Sequence, residues 1–206
     1  VPRHGEAYTR RGRPVDQDRH LERLRGAANH FGYPYDETRI GNALDAAAAG
    51  LTPGEHRVRL RLFPDGTPAC DAAPLPPGDG RPLRASLARQ PLSRSDPFVL
   101  HKTTRRGHYE SAQLPFPDAD DVILHNESGE ITESCIANVV ILRQGDLITP
   151  PLDCGLLAGT FRAELLQSGT IREGRVTIAD LRSAEKLFLI NSVRKWREAV
   201  LVPDPP

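Results

Sequence analysis

The sequence predicts an α/β protein of two domains, a small N-terminal domain over residues 1–96 and a larger one over residues 97–206. The length of 206 residues lies between one and two domains at about 150 residues per domain. Helical periodicity dominates early in the chain, and short strand-like runs dominate later. Between them, residues 72–97 are rich in Pro and Gly, which is typical of a boundary or crossover region.

Two helices are predicted near the start of the small domain. The first covers residues 16–31, where apolar residues recur at helical spacing and Gly32 follows as a natural stop. The second lies between Asp36, a good N-cap residue, and Gly50. We therefore expect a helical pair ahead of the first well-defined strand.

That strand is the clearest in the sequence and covers residues 56–63. Val58, Leu60 and Leu62 alternate with three arginines, as expected of a strand with one buried face. A turn at residues 64–66, Pro-Asp-Gly, ends it. The small domain thus combines helices with a sheet.

The rest of the chain is predicted to form short strands joined by tight turns. Strand-like segments occur at residues 83–88, 122–124, 139–142 and 187–190. Hairpin-type turns are expected at Ser128-Gly129 and at residues 144–146. A helix is expected to begin after Ala158-Gly159 and to end at Gln167.

Composition excludes several classes of function. Lys and Arg total 27, as do Asp and Glu, so no general basic field favours nucleic-acid binding. No apolar run approaches the ~20 residues of a membrane helix, and the polar N-terminal residues do not resemble a signal peptide. The three cysteines form no C-x-x-C pair, so neither a zinc site nor a disulfide framework is suggested. We therefore expect a soluble globular protein of the cytoplasm.

Three polar segments interrupt apolar stretches at residues 100–106, 129–138 and 149–162, which read LHKTTRR, GEITESCIAN and TPPLDCGLLAGTFR. Together with residues 18–31 and 186–202, and in the same order, they resemble the class IV pyridoxal-phosphate enzymes. That family includes branched-chain and D-amino-acid aminotransferases and aminodeoxychorismate lyase. The resemblance is greatest to the lyase domain fused to aminodeoxychorismate synthase. It implies a fold-type IV, two-domain enzyme with a shortened N-terminal domain, bound pyridoxal 5′-phosphate and a homodimeric assembly.

The resemblance implies that Lys102 bonds the cofactor covalently and that Glu133 faces the nitrogen of its pyridine ring. An amine in this role attacks an aldehyde and later moves protons at the substrate's α-carbon, which partial burial favours by lowering its pKa. The apolar run before Lys102, interpreted as a strand end, is expected to supply that burial. A carboxylate against the ring nitrogen keeps the ring protonated. Asn138 is expected to organise the surroundings of Glu133.

A cofactor phosphate needs backbone N–H groups, hydroxyls and a cation. The family order implies that Gly159, Thr160 and Phe161 supply amides at the start of a helix. It also implies that Ser192 supplies a hydroxyl and Arg23 the positive charge. Without the family order, these residues would be interpreted as a helix start and a solvated face.

Substrate-binding residues are less well defined by the sequence. Arg59, Arg106, Arg194 and Tyr109 are candidates, because aminodeoxychorismate carries two carboxylates that suit a cation-lined pocket. The function implied is the release of pyruvate from aminodeoxychorismate to leave 4-aminobenzoate. Two alternatives stay open, an aminotransferase of the same family and a non-catalytic descendant of the fold. The apolar strands within residues 120–142 are compatible with a subunit interface.

Overall fold

The computed structural model describes residues 3–10 and 13–203 of the chain, and the side chains from residue 16 onward. The chain divides into two compact units, each with its own β-sheet. The first unit comprises Val1–Asp79 and His101–Arg105, and the second comprises Gly80–Leu100 and Arg106–Pro206. The mixture of helices and sheets confirms the predicted α/β class.

The first unit is an antiparallel sheet accompanied by two helices. In chain order its elements are β1 (Arg3–Arg10), β2 (Arg13–Val15), α1 (Gln17–Phe31), α2 (Glu37–Ala49), β3 (Glu55–Leu62) and β4 (Pro68–Pro74). The strand order is β2-β1-β3-β4, so β3 lies inside the sheet with β1 and β4 beside it.

The alternating pattern of β3 explains how this unit forms its core. His56, Val58, Leu60 and Leu62 are buried, whereas Arg57 on the opposite face is exposed. The buried face of the strand joins apolar residues of both helices in one cluster, which contains Leu24, Ala28, Ile40 and Leu44. The predicted helices and strand are confirmed to within one residue at most boundaries.

Both helices have the ends that the sequence indicated. Asp36 Oδ1 accepts a hydrogen bond of 3.0 Å from Arg39 N at the start of α2. Gly32 follows α1 with a φ of 69°, a left-handed conformation that favours glycine. Local capping therefore sets the limits of these helices.

The second unit contains the larger sheet. Its elements are β5 (Leu83–Leu87), α3 (Pro97–Leu100), α4 (Gly107–Gln113), β6 (Asp121–His125), β7 (Ile131–Ser134), β8 (Asn138–Arg143), β9 (Asp146–Thr149), α5 (Thr160–Gln167), β10 (Arg172–Glu173), α6 (Ile178–Ser183), β11 (Lys186–Asn191) and β12 (Lys195–Leu201). The strand order is β10-β9-β8-β11-β12-β5-β6-β7, and β7 also pairs with β8. This last pairing closes six of the strands into a ring.

The predicted strands, turns and helix of this unit are confirmed. Gln144 and Gly145 both have positive φ, 53° and 83°, in the two-residue turn between β8 and β9. Helix α5 begins at Thr160 directly after its N-cap Gly159. Within the described residues, no helix combines the length and the apolar character that crossing a membrane requires.

The boundary between the units falls between Asp79 and Gly80 instead of after residue 96. Although residues 72–97 are rich in Pro and Gly, β5 lies within them and pairs in parallel with both β6 and β12. The Pro- and Gly-rich composition indicates irregular backbone in this region. The pairing of β5 nevertheless makes residues 80–100 part of the second unit.

Residues 97–100, interpreted as a strand end, form the short helix α3 instead. The reason is a local helix-start signal that the apolar run obscured. Asp96 Oδ1 accepts a hydrogen bond of 2.8 Å from Phe98 N, and Pro97 occupies the first helical position.

The apolar strands of residues 120–142 are used inside the second unit. Val122, Ile123 and Leu124 of β6 are fully buried, as are Val139, Val140 and Ile141 of β8. These side chains therefore form part of the unit's own core, and a subunit interface stays a prediction.

Candidate active site

Glu133 is a buried carboxylate on strand β7 of the second unit. Its strand β7 is buried along its whole length, and Glu133 itself is only 3% exposed. Oε1 accepts a hydrogen bond of 2.6 Å from Tyr109 Oη, and Oε2 accepts one of 3.1 Å from Leu157 N. Both oxygens are therefore held, and the orientation of the carboxylate is fixed.

Tyr109 lies on α4 and is 7% exposed. Burial, together with the neighbouring Glu133 carboxylate, raises the pKa of the Tyr109 hydroxyl far above its usual value, and Arg106 opposes that rise. The Arg106 guanidinium carbon lies 4.4 Å from the centre of the tyrosine ring. Tyr109 is thus a neutral hydrogen-bond donor throughout the physiological pH range.

The peptide of Leu157 connects Glu133 to Asn138. Its N–H donates to Glu133, and its carbonyl oxygen accepts a hydrogen bond of 2.9 Å from Asn138 Nδ2. Glu133 and Asn138 also face each other in the register of β7 and β8. Asn138 therefore organises the surroundings of Glu133 through the backbone of the loop that precedes α5.

Gly159 is required by the close approach of Asn138. A Cβ at residue 159 would lie 1.9 Å from Asn138 Oδ1, although the backbone conformation of Gly159 is an ordinary one. A side chain at this position would displace Asn138 and, with it, the Leu157 peptide. Glu133, Asn138, Leu157 and Gly159 thus form one connected cluster.

The N-terminus of α5 follows Gly159, and no side chain caps it. The first N–H groups of a helix have no partner within the helix, and they favour an anion. Thr160 is 4% exposed at this end. Arg162 anchors the first turn, because its Nη2 donates a hydrogen bond of 2.7 Å to the carbonyl oxygen of Pro150 and pairs with Glu173.

Phe161 and Ser192 have different surroundings. The Phe161 ring belongs to the apolar cluster of α5, β8 and β11 and meets Trp196 edge-on, with 6.3 Å between ring centres. Only its backbone can therefore serve a ligand at the helix start. Ser192 is half-buried in the turn between β11 and β12, where Asn191 Oδ1 accepts a hydrogen bond of 2.8 Å from Arg194 N.

The guanidinium of Arg106 contacts other groups of the second unit. Its Nη2 donates to the carbonyl oxygen of Cys135, close to the Tyr109 ring. Asp121, the first residue of β6, is fully buried, and burial raises its pKa to about 6 against the effect of the hydrogen bond that its Oδ1 accepts from Val122 N at 2.8 Å. The surroundings of Glu133 thus contain a second buried acid that the sequence did not indicate.

Lys102 lies in the first unit, within the segment His101–Arg105, and is half-buried. His101 stacks on His30 of α1 with 4.3 Å between ring centres. Thr103, which is buried, accepts a hydrogen bond of 3.1 Å from Arg105 N through its hydroxyl oxygen. These contacts fix the residues on both sides of Lys102.

Two other predicted site residues also lie in the first unit. Arg23 is half-buried on α1, with its Nη2 3.5 Å from His20 Nδ1. Arg59 is half-buried on β3 and faces Asp71 in the register of β3 and β4.

Within the second unit, the structure brings Glu133, Asn138, Gly159 and Tyr109 together. Leu157 was missed, although it lies within the motif segment of residues 149–162, because its role is carried by its backbone.

Comparisons with protein families, protein sequences and solved structures all indicate the same family. A family model described as amino-transferase class IV matches residues 7–202. A provisionally named aminodeoxychorismate lyase of Schizosaccharomyces pombe is 34% identical over 195 residues, 90% of this chain and 84% of that protein. A provisionally named branched-chain-amino-acid aminotransferase of Thermotoga maritima is 30% identical over 87% of this chain and 69% of that protein. The crystal structure of a provisionally named amino-acid aminotransferase of Mesorhizobium loti, 38% identical, superimposes with a TM-score of 0.92 over 98% of this chain and 99% of its own.

Proposed function

The chain belongs to the amino-transferase class IV family of pyridoxal-phosphate enzymes, and we propose that it is a 4-amino-4-deoxychorismate lyase. The proposed reaction releases pyruvate from aminodeoxychorismate and leaves 4-aminobenzoate. One observation carries the choice of a lyase, namely the 34% identity to the Schizosaccharomyces pombe relative over 84% of that protein's length. The family itself carries the assignment as an enzyme.

The residues of the second unit suit pyridoxal phosphate. A buried carboxylate held by two donors, as Glu133 is, suits a protonated ring nitrogen. An uncapped helix start after a glycine that admits no Cβ suits a phosphate group. When bound, this cofactor supplies an electron-accepting ring conjugated with the substrate's α-carbon.

In the proposed site, Glu133 holds a proton at the ring nitrogen. The Leu157 amide and the Tyr109 hydroxyl keep the carboxylate oriented while that proton is held. Asn138 supports this arrangement by bonding the other side of the Leu157 peptide. Because all of these groups are buried or half-buried, water competes little for them.

Binding of the phosphate is assigned to the backbone N–H groups of Gly159, Thr160 and Phe161 and to the hydroxyl of Thr160. Ser192 is proposed to add a second hydroxyl, and Arg23 the positive charge. The Phe161 ring contributes only by packing, since it lies in the apolar cluster behind the helix.

Lys102 is proposed to bond the cofactor covalently in the resting enzyme. Its amine, released when the substrate amine takes its place, removes the proton from the substrate carbon that bears the amine. The carbon–oxygen bond to the enolpyruvyl group then breaks, which makes the ring aromatic, and the departing enolate takes up the removed proton and leaves as pyruvate. Lys102 is half-buried, and the proton transfer needs its amine in the neutral form.

Substrate recognition is proposed to use Arg59 and Arg194, whose charges suit a dicarboxylate. Arg106 and Tyr109, two further candidates from the sequence, direct their polar groups toward Cys135 and Glu133. We therefore assign these two residues to the support of Glu133. A homodimer stays a prediction from the family resemblance, and a cytoplasmic location stays a prediction from the composition.

An aminotransferase is the second candidate function, supported by the similarity to the Thermotoga maritima and Mesorhizobium loti proteins. The two functions differ in their products. Purified protein with pyridoxal phosphate is incubated either with aminodeoxychorismate or with a branched-chain or D-amino acid plus 2-oxoglutarate. Equal amounts of 4-aminobenzoate and pyruvate support the lyase. Glutamate and a new 2-oxo acid, without 4-aminobenzoate, support the aminotransferase, and no product in either reaction indicates a non-catalytic descendant.

A further inference from the structure

We propose that Tyr109 is a positioning residue for Glu133, whose hydroxyl keeps the carboxylate ionised and correctly oriented to hold the proton of the cofactor's ring nitrogen. The inference rests on the proposed function, because that function assigns Glu133 to the ring nitrogen. It gives Tyr109 a role through another side chain, in place of the direct substrate contact expected from the sequence.

The geometry of the pair carries this inference. Tyr109 Oη and Glu133 Oε1 are 2.6 Å apart, within the range of hydrogen bonds to ionised acceptors. Both side chains are more than nine-tenths buried. The backbone of Tyr109 is held in turn, since its carbonyl oxygen accepts a hydrogen bond from the thiol of Cys135. Cys135 follows β7 directly after Ser134, so the helix and the strand are joined at two points.

The chemistry of the donor matters as much as its position. Burial without hydrogen bonds would favour the protonated form of a carboxyl group, and a protonated Glu133 could not accept a ring proton. A phenol hydroxyl stabilises the anion and leaves its negative charge intact. The backbone amide of Leu157 is also neutral, so the two donors orient Glu133 and leave its charge for the cofactor.

Arg106 strengthens the donor. Its guanidinium lies over the face of the Tyr109 ring at 4.4 Å, where a cation draws electron density from the ring and makes the hydroxyl a better donor. The guanidinium is fixed by the carbonyl oxygen of Cys135. Arg106 therefore acts on Glu133 through the phenol ring.

The experiment compares three variants of the cofactor-loaded protein, Tyr109→Phe, Glu133→Gln and the double variant. The cofactor is pyridoxal phosphate labelled with nitrogen-15 in the ring, and its resonance reports whether the ring nitrogen carries the proton. We expect Tyr109→Phe to move the resonance toward the unprotonated value and to weaken cofactor binding by about tenfold, the effect of one hydrogen bond to a charged group. Tyr35→Phe is the matched control, because it removes a hydroxyl that bonds a backbone carbonyl in the first unit.

The double variant separates positioning from a purely structural role. If Tyr109 acts through Glu133, Tyr109→Phe has little further effect on the resonance or on binding in the Glu133→Gln background. An undiminished effect in that background, or no shift of the resonance in Tyr109→Phe alone, would overturn the inference while the proposed function stands. A wild-type protein that binds no pyridoxal phosphate would reject the proposed function and this inference with it. A Glu133→Gln protein with an unchanged resonance would overturn the inference, because another residue would then face the ring nitrogen.

Discussion

The hydroxyl of Tyr109 donates a hydrogen bond of 2.6 Å to Glu133 Oε1 and thereby joins helix α4 to strand β7. Twenty-four residues of chain separate the two side chains, so the contact depends on the folded second unit. Because both groups are buried, each stabilises the other in a position that water does not disturb.

Glu133→Gln should lower turnover by a factor on the order of 10²–10⁴, the size expected for a lost electrostatic partner. The amide keeps the shape of the side chain, so we expect the cofactor to remain bound. Steady-state kinetics and cofactor absorbance measure the two effects. Glu130→Gln is the control, since Glu130 pairs with the exposed Arg175, and should retain most activity. Near-normal turnover in Glu133→Gln would mean that another residue faces the ring nitrogen.

Lys102 should be the lysine that bonds the cofactor. Borohydride reduction of the loaded protein followed by peptide mapping should place the label on Lys102. The sequence contains two other lysines, and both form surface ion pairs, Lys186 with Glu198 and Lys195 with Glu164. Label on either of these would contradict the assignment. Lys102→Ala should lose turnover by several orders of magnitude.

Gly159→Ala should disturb the site through sterics alone. The new Cβ would lie 1.9 Å from Asn138 Oδ1, so Asn138 must move and release the Leu157 carbonyl. We expect cofactor affinity to fall by about tenfold or more, as for the loss of at least one buried hydrogen bond. Gly41→Ala is the control, because a Cβ there meets nothing within 4 Å. Fluorescence titration with pyridoxal phosphate measures both variants.

A coupled variant checks the cause assigned to that loss. If the clash with Asn138 is responsible, adding Gly159→Ala to an Asn138→Ala protein should weaken binding much less than it does in the wild type. Equal losses in the two backgrounds would place the effect elsewhere in the loop.

Asp121 should make the protein less stable as the pH rises. Burial raises the pKa of Asp121 from 3.8 to about 6 in the folded chain, so between these values the folded state binds more protons than the unfolded state. The contribution of this group to the free energy of unfolding therefore decreases by up to about 3 kcal/mol as the pH rises from about 4 to about 6. Relative to wild type, Asp121→Asn should gain stability over this range. Melting temperatures at several pH values test this, and a difference that does not change with pH would contradict it.

The neighbouring residue Asp120 offers a control of opposite sign. Hydrogen bonds from Arg81 and from the Arg84 N–H lower the pKa of Asp120 to about 2. This contribution to stability is present above about pH 4 and is lost as the pH falls toward 2. Asp120→Asn should therefore be less stable than wild type at neutral pH, and the difference should diminish in acid.

We expect a two-fold homodimer in which, as the family resemblance implies, a loop of the neighbouring subunit completes each active site. Dissociation should then remove activity before the chains unfold, because an incomplete site admits water. Light scattering and turnover measured on one dilution series test this order of events. A fully active monomer would reject the prediction.

The sequence by itself determined the elements that depend on neighbouring residues. Alternating Val58, Leu60 and Leu62 fixed β3, and the Ala158-Gly159 signal placed the start of α5 at the correct residue. The family resemblance of the motifs also predicted that Glu133 and Asn138 belong to one site, and the structure places them opposite each other in β7 and β8. Such features are readable because periodicity, capping and motif order all lie along the chain.

Only the tertiary structure decided which polar groups satisfy one another. Tyr109 donates to Glu133, and the two polar groups of the Leu157 peptide bond Glu133 and Asn138, so these hydrogen bonds join segments that lie far apart in the sequence. Strand pairing likewise placed residues 80–100 in the second unit, against the boundary that composition indicated. The physical reason is the same in each case. A buried polar group needs a hydrogen-bond partner. The folded arrangement of helices, strands and loops selects that partner, and distance along the sequence does not.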